Sequence, residues 1–226
     1  MKKLAVVVLA LAVLFVGGPW VYINLIREDA PAELSLAEST SVSAETTVVA
    51  EPFDVNGTWR VGAGSLAGYR VDEILFGQDV TAVGRTDAVT GEFVIEGESV
   101  ISARFSVDLT QVTSDSSRRD SQFANRIMDV LNFPTAEFVL DSPIELPPAA
   151  LAGDEFSVAA TGTLTLRGKS GPVEMMLTAR LDGSSIEVSA STEIVFADWG
   201  IPDPSLPGVT TEDFGTLEAL LKMEKS

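Results

Sequence analysis

The amino-acid sequence predicts an all-β domain with one inserted helix, folded as an antiparallel β-barrel of about eight strands. From Gly57 onward, segments in which apolar and polar residues alternate follow one another. Several of these segments run to ten or more residues, which is long for a sandwich and natural for a closed barrel. Connections such as Gly97-Glu98 and Asp182-Gly183-Ser184 are short and rich in turn residues, so neighbouring strands are expected to be antiparallel.

The predicted strands can be placed in chain order from this alternation. In Ser99 to Leu109, the residues Ile101, Ala103 and Phe105 are predicted to share one face with Val107 and Leu109. The segments Thr58 to Gly62 and Ser65 to Leu75 form an opening pair. The remaining predicted strands are 80–87, 89–96, 99–109, 135–141, 156–167, 173–182, 186–197 and 210–223.

One stretch departs from the strand pattern. Phe123, Ile127 and Leu131 recur at a spacing of four, with Met128 beside them, which predicts a helix over about 118–131 with one apolar face. Ser116 or Ser117 is placed to cap its start. Pro134 disfavours the helical conformation for the residue before it, and strand alternation resumes beyond it.

The residues around this helix resemble a known family. The order Ser114-Asp115-x-x-x-Arg119-Asp120, an amphipathic helix, and then Asn132-Phe133-Pro134-Thr135-Ala136-Glu137-Phe138 is similar to the central signature of the YceI-like family. The segments 68–71, 77–80, 162–168 and 198–201 follow the same family order, so the resemblance covers roughly Val55 to Glu224. It implies an exported, lipocalin-like barrel that holds a polyisoprenoid-type lipid.

The N-terminal residues predict a membrane anchor or signal segment over 1–29. Leu4 to Ile26 is an apolar run of 23 residues, which as a helix spans about 34 Å. Lys2 and Lys3 precede it, so the barrel is expected outside the cytoplasm on a single-pass anchor. Ala30-Pro31-Ala32 fits a signal-peptidase site, and cleavage there would give a secreted protein.

Residues 30–52 are predicted to be a flexible linker, and residues 53–226 the barrel domain. The linker segment contains no Lys, Arg, Gly or aromatic residue. A segment of this composition cannot build a core of its own. As a flexible coil it has a root-mean-square span of about 25 to 30 Å.

Composition excludes several functions. The chain has no cysteine and no histidine, which removes thiol nucleophiles, disulfides and the usual general base. Its formal net charge of −18 disfavours nucleic acid as a partner. The acidic residues do not follow the order of a calcium loop, so we expect no metal and no cofactor.

Small residues at mid-strand predict a cavity inside the barrel. On the presumed inner faces, larger apolar residues flank Ala103, Ala160 and Ala179. Tyr69, Phe93, Phe138 or the helix face could instead fill this space, because protein interiors are close-packed. The family resemblance favours a long apolar cavity, and it implies ligand contacts from Tyr69, Ala103, Phe105, Phe123, Ile127, Phe138, Ala160, Leu164, Leu177, Ala179 and Ile194.

Arg118 and Arg119 allow two interpretations. They either form a solvated start of the helix or contact the head-group of a lipid, which suits an always-charged donor if that group is a phosphate. The function expected is binding without catalysis, with an isoprenoid-type lipid and the membrane as partners and with a homodimer also allowed. An enzyme that acts on an apolar substrate with acidic residues, or an interaction barrel without ligand, are the alternatives.

Overall fold

The computed structural model describes residues 29–36 and 54–226, and within them thirteen strands form one sheet. Its strands are β1 Gly57–Val61, β2 Leu66–Leu75, β3 Gln78–Thr86, β4 Val89–Glu96, β5 Ser99–Asp108, β6 Thr113–Ser114, β7 Thr135–Leu140, β8 Ile144–Glu145, β9 Phe156–Leu166, β10 Lys169–Asp182, β11 Ser185–Val195, β12 Val209–Thr211 and β13 Phe214–Lys225.

The sheet closes on itself because β13 pairs with β11 along one edge and with both β1 and β2 along the other. The first two strands therefore lie end to end along β13 and do not pair with each other, which corrects the predicted opening pair. In the same way, β3 pairs with β2 and β4 pairs with β1. The pair β1 and β2 therefore forms one long barrel strand with a break, and the pair β3 and β4 forms the next one. The result is an antiparallel, eight-stranded closed barrel, as the sequence predicts.

The hairpin turns fix where several strands begin. Arg167 and Gly168 both have positive φ, 50° and 74°, which is the backbone of a two-residue type I′ turn. Lys169 consequently pairs with Leu166, and β10 begins four residues before the predicted Val173. The predicted last strand is also divided, because β12 ends at Thr211 and β13 begins at Phe214.

The inserted helix is shorter than predicted and changes type along its length. An α-helix, α1, spans Ser117–Gln122, and a π-helical turn spans Phe123–Ile127. The π turn adds a residue, so the N–H of Met128 donates to the carbonyl of Phe123 at 2.8 Å and Met128 becomes buried. Leu131 lies beyond the helix end and is 91% exposed, so its predicted place on the apolar face is wrong.

The start of α1 is also held differently from the prediction. Ser116 is the N-cap residue, but its side chain makes no capping hydrogen bond. Instead the Asp120 carboxylate accepts hydrogen bonds from the Ser114 N–H at 2.8 Å and from the Ser114 hydroxyl at 2.6 Å. Two shorter helical segments, a 3₁₀ turn at Leu109–Gln111 and the helix α2 at Pro148–Leu151, were not predicted.

The N-terminal predictions fall largely outside the described residues. The apolar run Leu4 to Ile26 lies outside them, as do residues 37–52 of the predicted linker and Phe53, the first residue of the predicted barrel domain. Within residues 29–36 and 54–226, no helix has the length and apolar character needed to span a bilayer. Residues 31–34, which belong to the predicted linker, make hydrogen bonds to the barrel wall.

Candidate lipid-binding cavity

The barrel interior holds two clusters of buried apolar residues with a cavity between them. The first, the helix-end cluster, comprises Leu109, Val112, Phe123, Met128, Leu164, Leu166, Ile194, Phe196, Trp199 and Ile201. The second, the closing-end cluster, comprises Trp59, Ala67, Val89, Phe93, Ile95, Ile186, Leu221 and Met223. A cavity of about 300 Å³ is lined by members of both clusters, so it extends between them.

The structure brings most of the predicted site residues to this cavity. Arg118 is the exception, since it is exposed on α1 and does not line the cavity. Contact of the others with a ligand stays a prediction. The predicted residues that line the cavity are Tyr69, Ala103, Phe105, Arg119, Phe123, Ile127, Phe138, Ala160, Leu164, Leu177, Ala179 and Ile194.

Small side chains at mid-barrel leave this space. Ala103, Ala160, Ala179 and Ala190 all line the cavity from four different strands. Each of these side chains ends at Cβ and therefore leaves more room inside the barrel than a larger side chain would.

A β-bulge corrects the predicted alternation in β5. Ile95 pairs with Val100 whereas Val94 pairs with Ser102, so Ile101 is an extra residue on β5. Val100 therefore lines the cavity, and Ile101 is 40% exposed instead of facing inward.

The rings of Phe105 and Phe138 lie flat against the barrel wall because the residue beneath each ring, Gly91 or Gly162, is a glycine. A Cβ at Gly91 would be 2.5 Å from Cδ1 of Phe105, and a Cβ at Gly162 would be 2.3 Å from Cε2 of Phe138. Such distances are too short for real Cβ atoms, so only glycine permits the rings to occupy these positions. The rings line the cavity without crossing it. The sequence reasoning missed these glycines as site residues, although strand glycines often mark close approaches.

The helix covers one end of the cavity with an aromatic pair. The rings of Tyr69 and Phe123 stack with centroids 5.1 Å apart and planes 9° from parallel. Ile127 and Met128 line the cavity beside them. Burial raises the pKa of the Tyr69 phenol well above its ordinary value, so the group stays neutral at this end.

Arg119 and Glu73 make the polar border of the cavity at the helix end. Arg119 Nη2 lies 3.9 Å from a carboxylate oxygen of Glu73, and its Nη1 donates to Asp115. Both Arg119 and Glu73 line the cavity. The guanidinium is therefore shared between two carboxylates and is not an isolated positive charge.

The described residues carry no arrangement suited to holding a metal ion. Across 29–36 and 54–226 there is no group of three or more Asp, Glu, His or Cys side chains placed to ligate one. Most of the lining residues that sequence reasoning did not name as site residues lie on barrel strands, such as Val71, Ile95 and Leu221, and Phe196 and Ile201 lie in the loop after β11. Ile201 lies outside every predicted strand, so no alternation identifies it as a core residue, whereas Phe196 falls within the predicted strand 186–197.

Comparison with known proteins confirms the resemblance. The YceI-like domain model matches residues 59–223. A polyisoprenoid binding domain from Saccharophagus degradans, implicated in plant cell wall breakdown, is 18% identical with a TM-score of 0.60, covering 76% of this chain and 99% of that chain. Burkholderia cenocepacia BcnA is 18% identical with a TM-score of 0.55, covering 72% and 98%. No curated protein matches. The family model spans well over half of the chain, which therefore belongs to the YceI-like family.

Proposed function

We propose that this protein is a carrier that holds a long apolar lipid of the polyisoprenoid type inside its barrel. The observation that carries the proposal is the apolar cavity of about 300 Å³ that reaches between the two core clusters. The similar domain from Saccharophagus degradans is a polyisoprenoid binding domain, which supports the same class of ligand for this barrel.

The energetics of such a lumen favour a hydrocarbon chain. Each methylene group moved from water into an apolar site contributes about 0.8 kcal/mol. Burial of roughly ten carbons therefore contributes about 8 kcal/mol, which is the binding free energy of a micromolar complex before ordering costs are subtracted. Apolar rings and alanines discriminate little between hydrocarbon chains of similar width. The lining therefore selects ligands by their length and width more than by their chemical groups.

The polar group of the lipid is expected at the helix end of the cavity. Arg119 and Glu73 line the cavity there, and the small side chains of Ala103, Ala160 and Ala179 line it at mid-barrel. Arg119 already pairs with Glu73 and Asp115. A phosphate would have to compete with these carboxylates for the guanidinium, while a neutral group that donates and accepts hydrogen bonds would not.

We also propose that the barrel works outside the cytoplasm, tethered through the apolar run Leu4 to Ile26. Lys2 and Lys3 before this run support that orientation. Protease added to intact cells with a permeable envelope should release the barrel by cutting within residues 30–52. Protection of the barrel until the inner membrane is broken would show that the orientation is the opposite one.

Extraction of the purified full-length chain tests the carrier function. Organic extraction followed by mass spectrometry should recover a long apolar molecule in near-stoichiometric amount. Ala103→Phe, purified identically, is the matched control, because a ring at mid-cavity should remove lipid held in the barrel but not lipid that adheres to the apolar run. Equal recovery from both proteins would contradict the proposal.

The same preparation separates binding from catalysis. The extracted molecule, returned to the delipidated protein, should be recovered unchanged after prolonged incubation. Conversion of that molecule to a product would instead favour the alternative of an enzyme that uses acidic residues.

A further inference from the structure

The outer wall formed by β13, β2 and β3 carries a charged cluster that is largely hidden from solvent. Leu217 pairs with Tyr69, whose ring lines the cavity, whereas Glu218 pairs with Gly68 and is bonded to Arg85, so the alternation of β13 turns the side chain of Glu218 to the outside. Glu218 is nevertheless only 5% exposed. Glutamate is almost never buried to this extent unless it is paired, so something covers it on the outer face.

Two arginines supply part of the pairing. Arg85 donates to one carboxylate oxygen of Glu218 from Nε at 3.0 Å and from Nη2 at 2.7 Å. The Nε of Arg70 lies 3.7 Å from the other oxygen. The charge on Arg85 makes its two hydrogen bonds stronger than those between neutral groups, whereas Arg70 Nε is too far from Glu218 for a hydrogen bond.

Residues 31–34 supply the rest, and they do so entirely with main-chain atoms. The N–H of Leu34 donates to Glu218 Oε2 at 3.1 Å. The carbonyl of Pro31 accepts from Arg70 Nη2 at 2.7 Å, and the carbonyl of Ala32 accepts from Arg85 Nη2. The Glu218 carboxylate and the two guanidinium groups are thus hydrogen-bonded to one N–H and two carbonyl groups of the same short segment.

We propose that Arg70, Arg85 and Glu218 form a binding site for an extended peptide main chain, and that residues 31–34 of this chain are its ligand. The pattern of contacts supports this choice, because it places acceptors against donors along the segment and each of the three hydrogen bonds uses a main-chain atom of the segment. Because Glu218 is buried, release of the segment would leave its carboxylate without one of its hydrogen bonds. The free-energy cost of that loss stabilises the bound segment.

The site changes what the N-terminal segment can do. A free linker over residues 30–52 would let the barrel drift by about 25 to 30 Å. With residues 31–34 bound, only four residues separate the apolar run, which ends at Ile26, from the barrel wall, and four extended residues span at most about 14 Å. On the proposed membrane tether, the β13–β2–β3 wall is then held close to the bilayer, whereas the binding site itself does not depend on the tether.

Spin labels test the site in the full-length chain. The sequence has no cysteine, so Ser35→Cys and Asp79→Cys give two unique labels, one beside the bound segment and one on the exposed edge of β3. We expect a single narrow distance between them. Leu34→Pro removes the N–H that donates to Glu218, and the narrow distance should be lost. Leu34→Ala is the matched control, because it keeps this N–H and should keep the narrow distance.

Three results would overturn the proposal. A broad distance in the parent chain would show that the segment is not bound. Equal loss in Leu34→Ala and Leu34→Pro would show that the leucine side chain, not the main chain, holds the segment. A narrow distance that appears only between two singly labelled chains would show that the bound segment comes from a second copy. None of these measurements involves lipid, so they fail or succeed independently of the carrier function.

Discussion

The ring of Tyr69 lies directly over Gly84 of the neighbouring strand. A Cβ at Gly84 would be 2.4 Å from Cε1 and 2.9 Å from the hydroxyl oxygen of Tyr69, too close for any side chain. Gly84 pairs directly with Tyr69 in the sheet, and the same ring stacks on Phe123 of the helix. Glycine at position 84 therefore lets the tyrosine ring lie against the wall, where it lines the cavity without blocking it.

Gly84→Ala should narrow the cavity at its helix end. The three atoms nearest to the new methyl group all belong to the tyrosine side chain, so we expect the ring to move. We expect affinity for a fluorescent long-chain apolar probe to fall at least about tenfold, or about 1.4 kcal/mol. Titration of the delipidated full-length protein with the probe measures this change.

The control for this substitution is Gly171→Ala. Gly171 also belongs to a barrel strand, but a Cβ there would be 3.5 Å from the nearest atom, on Trp199, which is ordinary contact. Probe affinity should therefore be unchanged. In a Tyr69→Leu background Gly84→Ala should also have little effect, and a full loss of affinity there would contradict a role for the ring.

Ala103→Phe should block the cavity at mid-barrel without unfolding the protein. Ala103 lines the cavity and pairs with Phe93, so an added ring enters the cavity space. We expect lost probe binding and a thermal midpoint that moves by less than about 2 °C. In a filled core the same change would be overpacking that costs about 1 to 3 kcal/mol, so a lowered midpoint together with a ligand-free parent would contradict an open cavity.

Most of the barrel was accessible from the sequence because period-two alternation reports directly which face of a strand is buried. The bulge at Ile101 could not be predicted, because a single extra residue changes the strand pairing without changing the composition of the strand. The same limit applies to Tyr69 and Gly84, which the register brings together although 15 residues separate them in the sequence.

The helix shows a second limit. A spacing of four between Phe123, Ile127 and Leu131 predicts one face only if the helix keeps 3.6 residues per turn. The π turn at Phe123–Ile127 breaks that assumption, so Met128, which the sequence places beside this face, is buried and Leu131 is exposed. Nothing in the local pattern distinguishes the two hydrogen-bonding schemes, since packing on the barrel end decides between them.

Met128 and Leu131 therefore give a matched pair of substitutions. Met128 is 4% exposed in the helix-end cluster, so Met128→Ala should cost about 2 to 5 kcal/mol of unfolding free energy. Leu131 is 91% exposed, and Leu131→Ala should stay within about 0.5 kcal/mol of the parent. Urea unfolding of the two variants measures both, and equal effects would contradict the π-helical register.

Alkaline titration of Tyr69 tests the burial of the aromatic pair. Burial raises its pKa above the ordinary value of 10.0, so the folded protein keeps the phenol protonated where the unfolded chain loses the proton. Its contribution to stability is complete below pH 10 and is lost as the pH rises through and beyond that value. Unfolding free energy should therefore fall above pH 10.

Tyr69→Phe isolates this contribution, since lysines also titrate in the same range. The variant has no phenol at position 69, so its stability should decline less steeply above pH 10 than that of the parent. The chain contains two tyrosines, and the ultraviolet difference between parent and variant reports the ionisation of Tyr69 alone. Ionisation of Tyr69 near pH 10 in the folded protein would show that its ring is solvated, and that the helix does not cover this end of the cavity.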